Sequence, residues 1–160
     1  MKKKITVITG GSSGLGLASA RCLAGGSTIL LCARGSAGLE KTKAELETFG
    51  ADVYTCVMDA SDPESAKKCA EYAASLGDVV NVIHTAGVSP ANTPADDILR
   101  INALGPINMV EAFYPVLAEG GRTDLLLIYG WLCSGYQRTH EAFAAGCASA
   151  VCPVERAGLL

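Results

Sequence analysis

Thr9-Gly10-Gly11-Ser12-Ser13-Gly14-Leu15-Gly16 is the stretch on which the reading of this chain turns. Ahead of it, residues 5–9 form a short β-branched run that stops at the glycines, the pattern of a buried strand. Behind it, Leu15, Ala18, Cys22 and Leu23 recur at helical spacing, and Gly25 and Gly26 supply the stop. This predicts a helix with those four side chains facing inward. A glycine-rich turn in that position has a physical use. Gly10 permits the tight turn, Gly14 lets backbone amides approach a diphosphate, and Gly16 lets the helix press on the sheet. The helix start adds unpaired N–H groups and a positive dipole end, which together seat an anion. A turn without a ligand would need neither neighbour; a dinucleotide-binding turn needs both.

Working outward, the same alternation repeats. Residues 28–33 predict a second strand, residues 36–49 a polar-faced helix closed by Gly50, and residues 53–58 a third strand. Asp62 can cap a third helix, and Pro63 suits its first position, where the missing N–H does no harm. Ala66, Cys69, Ala70, Ala73 and Leu76 make its inner face, and Gly77 ends it. Residues 79–83 predict a fourth strand, residues 96–117 a long helix, and residues 125–129 a fifth strand. Strands alternating with helices mean a parallel sheet with right-handed crossovers. The fold expected is α/β, a Rossmann-type doubly wound parallel sheet that stops after about five strands. Residues 1–129 form the nucleotide-binding domain in this reading. Residues 130–160, without clear periodicity and without a lysine anywhere beyond Lys68, form an irregular tail. A diverged segment and a misread coding frame would leave the same composition there.

The totals agree with one domain: 160 residues, 49% of them hydrophobic, with aromatics at 6%. That composition favours small residues packed closely between helix and sheet. A formal charge of −3 gives no electrostatic reason for a nucleic-acid partner. The basic run from Lys2 to Lys4 precedes an apolar stretch too short for a signal peptide. No run approaches the roughly 18 apolar residues of a membrane span. The expected location is the cytoplasm, with the seven cysteines as thiols. No CxxC pair or paired-histidine spacing supports a metal site; Cys133, His140, Cys147 and Cys152 lack the spacing that zinc sets show.

Thr9-Gly10-Gly11-Ser12-Ser13-Gly14-Leu15-Gly16 after an N-terminal strand resembles the TGxxxGxG signature of the short-chain dehydrogenase/reductases. Further features follow in that family's order over about residues 4 to 121. Asp59, followed by Ala60, ends the third strand, where the family sets an aspartate on the adenine ring. His84-Thr85-Ala86-Gly87 looks like a variant of the family's NNAG. Asn102, in Ile101-Asn102-Ala103-Leu104-Gly105, stands at the place of the family's helix asparagine, whose carbonyl anchors a water in a proton relay. Pro106 has no N–H to bond that carbonyl, so the helix should bend there. The resemblance implies that Gly10, Ser12, Ser13, Gly14, Leu15, Gly16, Arg34, Asp59, Ala60, Ala86 and Gly87 hold a nicotinamide coenzyme.

Arg34 bears on which coenzyme. A carboxylate closing the second strand would bond the ribose 2′-OH of NAD(H) and repel a 2′-phosphate. The chain instead has Ala33 and then a guanidinium able to grip a phosphate bidentately. NADP(H) therefore comes ahead of NAD(H). The partners implied are the coenzyme and a small carbonyl or alcohol substrate, with no nucleic acid and no membrane; a homo-oligomer stays open.

The family's chemistry requires a serine and then YxxxK, the tyrosine as general acid/base and the lysine lowering its pKa. No YxxxK occurs in the chain. Tyr136-Gln137-Arg138-Thr139-His140 sets a histidine where the lysine would stand, which makes Tyr136, with Asn102, the candidate catalytic pair. Two functions follow from this reading. One is an NADP(H)-dependent oxidoreductase of a carbonyl or secondary alcohol, present as a truncated and inactive form. The other is a non-catalytic NADP(H)-binding or sensing module.

Overall fold

The computed structural model describes residues 2–89, 91, 93–125 and 152–155. Five strands lie parallel in the order β3-β2-β1-β4-β5. They are β1 (Lys4–Thr9), β2 (Thr28–Ala33), β3 (Asp52–Val57), β4 (Asp78–His84) and β5 (Leu117–Leu125). The expected doubly wound parallel sheet is therefore the fold the chain adopts. A short β6 (Cys152–Glu155) adds antiparallel to the outer edge of β5. The tail expected to be irregular thus returns at least these four residues to the sheet. Pro153 is tolerated there because an edge strand does not need every N–H.

Both faces of the central strands are covered, and their residues are apolar on both. Ile5, Val7 and Ile8 of β1 and the run Ile29, Leu30, Leu31 of β2 are fully buried. On one face, α1 (Gly14–Leu23) and α2 (Ser36–Glu47) enclose Ile8, Ile29, Leu31, Leu39 and Leu46. On the other, α3 (Pro63–Leu76) and α5 (Gly105–Phe113) close over Ile5, Val7, Leu30, Val82, Met109 and Phe113. Each such aliphatic or aromatic side chain contributes about 1.5–3 kcal/mol by leaving water. Asp62 caps α3 by accepting from the Glu64 N–H at 3.0 Å, with Pro63 in the first turn, and Ala66, Cys69, Ala70 and Ala73 face inward as expected.

Three expectations are corrected. The inner face of α1 is Gly16 and Ala20, followed by Ala24, while Leu15 is 47% and Leu23 36% exposed and Ala18 and Cys22 are also exposed. Small residues win that face because α1 lies close against the end of β1. The long helix is not continuous: α4 (Ala95–Leu99) passes through a π turn (Arg100–Leu104) into α5, and a 3₁₀ turn (Tyr114–Val116) ends it. The Gly105 N–H bonds the Arg100 carbonyl, five residues back, so the ladder widens just ahead of Pro106. The fifth strand begins at Leu117, eight residues before its predicted start, and residues 126–129 lie outside the described set. Pro115 cannot donate to the Glu111 carbonyl and so helps end the helix there. The register against β4 then steps between Val79 and Asn81, opposite a segment where Gly120 takes a φ of 72°.

Candidate functional site

The order of the sheet reverses between β1 and β4, and the carboxyl ends of these neighbours part to leave a crevice. Gly10, with a φ of 69°, turns the chain out of β1. Gly16 rests on the Gly10 carbonyl: a Cβ there would overlap the carbonyl oxygen and come within 2.6 Å of its carbon and 2.7 Å of Thr85 Oγ1. Gly14, with a φ of 52°, faces open space instead, with no atom within 4 Å of where a Cβ would sit. Ser13 precedes α1 without a side-chain cap, and the first turn holds no acidic residue. The opening N–H groups of α1 therefore point toward solvent at a place free of negative charge.

Behind this loop, Thr9 ties β1 to β4. Its hydroxyl accepts from the N–H groups of Thr85 at 3.2 Å and Ala86 at 3.3 Å. Both lone pairs are then engaged, so its proton goes to His84 Nδ1, 2.7 Å away. Thr85 returns the contact by donating its hydroxyl to the Thr9 carbonyl at 2.6 Å. His84 is fully buried and is thereby the Nε2–H tautomer, and Nε2 has no partner among the described residues. It does not line the crevice, in keeping with a structural role.

Burial pushes the pKa of His84 down to about 4. Unfolded histidine titrates near 6.5, so between pH 6.5 and 4 the unfolded chain holds more protons and stability falls as pH falls. The full loss from this ring is about 3 kcal/mol. His84→Asn is expected to flatten that limb of the pH–stability curve in urea unfolding. A variant as steep as the parent between pH 6.5 and 4.5 would mean that another group titrates.

The crevice is a cleft of about 280 Å³. Gly10, Ser12 and Ser13 line it from the first loop, Ala33 and Arg34 from the end of β2, Asp59 and Ala60 from the end of β3, and Ala86 and Gly87 from the end of β4. Arg34 is exposed and has no ion pair among the described residues. Burial opposes the charge of Asp59, but bonds to its Oδ1 from the Ser61 hydroxyl (2.7 Å) and N–H (2.9 Å) outweigh it. With Arg34 and Arg100 nearby, the carboxyl is held below its usual range. Gly14, Leu15, Gly16 and Asn102 do not line the cleft. Cys32, Gly35, Met58, Val88 and Ile101 do, although the sequence did not single them out for the cleft; each is next in the chain to a residue that it did.

Asn102 acts on the cleft from behind. Its Nδ2 donates to the Val88 carbonyl and its Oδ1 accepts from the Val88 N–H, each at 2.9 Å. The side-chain amide thus takes the place of a neighbouring strand and fixes the segment after β4. Asn102→Ala leaves both backbone groups unpaired, and a loss of roughly 1–3 kcal/mol is expected in urea unfolding. Faster amide exchange at Val88 should accompany it, and unchanged exchange would refute the clamp. Tyr136, the other candidate catalytic residue, lies outside the described residues.

A sequence profile described as short chain dehydrogenase matches residues 4–138. The chain belongs to that family. Among similar proteins, the 1-deoxy-11-beta-hydroxypentalenate dehydrogenase of Streptomyces avermitilis is 31% identical over 138 residues, 79% of this chain and 51% of that protein. Among solved structures, an alcohol dehydrogenase of the archaeon Thermococcus sibiricus complexed with 5-hydroxy-NADP superposes with a TM-score of 0.65 at 31% identity. That match covers 71% of this chain and 53% of the other. The L-sorbose reductase of Gluconobacter frateurii, complexed with NADPH and L-sorbose, gives a TM-score of 0.64 at 28% identity over 73% of this chain and 48% of its own. The chain spans about half the length of the curated relatives it matches. Among its described residues no helix is long and apolar enough to cross a membrane.

Proposed function

We propose that this chain is the NADP(H)-binding half of an oxidoreductase of carbonyls and secondary alcohols, and that its 160 residues bind the coenzyme without turning substrate over. The observation that carries the reading is the convergence of four strand ends on one cleft with Arg34 at its side. Gly14 offers the open backbone that a diphosphate needs, and the start of α1 supplies N–H donors to it. Ser12 and Ser13 add hydroxyls at the same lip. Arg34 takes the 2′-phosphate, Asp59 and Ala60 border the adenine, and Ala86 and Gly87 border the strand end toward the nicotinamide. When bound, the coenzyme supplies or accepts the hydride. Asn102 holds the Val88 backbone beside that end, which makes it a positioning residue. The lack of any YxxxK argues against turnover by these residues alone. The cytoplasm, where its thiols stay reduced, is the compartment that fits.

Calorimetry on the purified chain tests the binding. NADPH is expected to bind at least tenfold more tightly than NADH, with no consumption of NADPH across a panel of ketones and aldehydes. No heat from either coenzyme at millimolar concentration, with the fold shown intact by circular dichroism, would sink the proposal. Turnover abolished in Tyr136→Phe would overturn its second half and make Tyr136 the acid/base.

A further inference from the structure

Three thiols from three separate elements meet beneath the β2–β3 side of the cleft. Cys32 on β2 and Cys69 on α3 are fully buried, with their Sγ atoms 3.3 Å apart. Cys56 on β3 is the direct register partner of Cys32 across the parallel pair. It packs half-buried against the same apolar cluster. Opposed residues on neighbouring strands lie about 4.7–4.9 Å apart, inside the Cα separation of roughly 4.4–6.8 Å that a disulfide bridges. All three are free thiols. A buried cysteine that only fills space needs no sulfur neighbour. Here two buried sulfurs stand in contact, and a third thiol, half-buried against the same cluster, has access to solvent.

We propose that Cys56, Cys32 and Cys69 form a peroxide-reactive thiol site in which Cys56 is the residue oxidised and Cys32 closes a disulfide onto it. The neighbouring Cys32 and Cys69 thiols hold Cys56 below the ordinary thiol range, while its thiol neighbours and burial keep Cys32 protonated. The chemistry runs in two balanced steps. The Cys56 thiolate attacks one oxygen of hydrogen peroxide, the O–O bond breaks, and the products are a sulfenic acid and hydroxide. The Cys32 sulfur then attacks the Cys56 sulfur, the S–O bond breaks, and the Cys32 proton leaves with the hydroxyl as water. The peroxide is reduced by two electrons and the two thiols are oxidised by two. Cys69 stays reduced, with its sulfur against that of Cys32. Cys32 also lines the cleft, but the oxidation is followed without coenzyme, so its outcome is distinguishable from that of the coenzyme reading.

The test uses the full chain carrying Cys22→Ser, because Cys22 and Cys32 share a tryptic peptide while Cys56 and Cys69 fall in two others. After hydrogen peroxide, non-reducing peptide mapping is expected to show the Cys32 peptide joined to the Cys56 peptide. In Cys32→Ala, Cys56 should instead accumulate as a sulfenic acid trapped by a 1,3-diketone. The rate at Cys56 should change by less than about threefold between pH 7.5 and 6, while that of added glutathione falls roughly 30-fold with its thiolate. A Cys56 peptide still reduced when the glutathione is consumed, a rate that follows glutathione with pH, or a link from Cys56 to Cys69 would each overturn the assignment. If Cys32→Ala does not fold, the map and the pH dependence of the Cys22→Ser chain decide alone.

Discussion

Gly16→Ala is expected to lower NADPH affinity more than 100-fold and to destabilise the chain by about 1–3 kcal/mol or more. The added methyl would overlap the Gly10 carbonyl oxygen and sit 2.6 Å from the Gly10 carbon and 2.7 Å from Thr85 Oγ1. Two of those atoms are backbone and cannot swing aside. The start of α1 must therefore back away from the end of β1, carrying with it the N–H groups that seat the diphosphate. Thr85 would lose its place as well, and with it the 2.6 Å bond to the Thr9 carbonyl. Gly14→Ala separates packing from binding. Its methyl meets nothing within 4 Å, and the φ of 52° costs an alanine about 1–2 kcal/mol. It would nonetheless place a carbon where the anion approaches. Isothermal titration and urea unfolding of both variants measure the contrast. Parent-like NADPH binding by Gly16→Ala would show that the loop does not grip the coenzyme.

Arg34→Ala should cost NADPH roughly 10- to 100-fold in affinity, the worth of about 1.5–3 kcal/mol for hydrogen bonds to a charged group, and leave NADH unchanged. The selectivity follows from geometry and charge. Ala33 and Arg34 both line the cleft at the end of β2, and Arg34 is engaged in no ion pair among the described residues that it would have to break. Adding Ala33→Asp sets a carboxylate where it can accept from a ribose 2′-OH and repel a 2′-phosphate. The double variant is expected to prefer NADH. Equal losses for both coenzymes in Arg34→Ala would place the arginine on the shared diphosphate. No loss for either would make it a solvated surface residue.

The sheet was readable in the chain because its strands are buried on both faces and so are written as apolar runs. Residues 28–33 coincide with β2, and the cap formed by Asp62 and Pro63 opens α3 where expected. The inner face of α1 was misread for a reason that periodicity cannot supply. Leucine and cysteine outrank glycine on any apolar scale, yet the Gly10 carbonyl leaves room for no side chain where α1 meets β1. The start of β5 was hidden because Leu117-Ala118-Glu119-Gly120-Gly121 has no strand signature; Leu117 pairs with Val79 of β4, and the pairing resumes only at Arg122. Likewise, nothing local marks Asn102 as the partner of Val88, 14 residues away.

Local chemistry in the chain was therefore enough to settle the order of strands and helices, the turn after β1 and the family. Those features depend on residues close in sequence: the spacing of apolar side chains, a proline, a cap, a run of glycines. Contacts between distant residues needed the folded molecule. Whether four strand ends share one cleft, whether Thr9 reaches His84, and whether Cys32, Cys56 and Cys69 touch are set by how crossovers bring those segments side by side. Packing a sheet between two helical layers is what determines such distances, and no window along the sequence contains both partners.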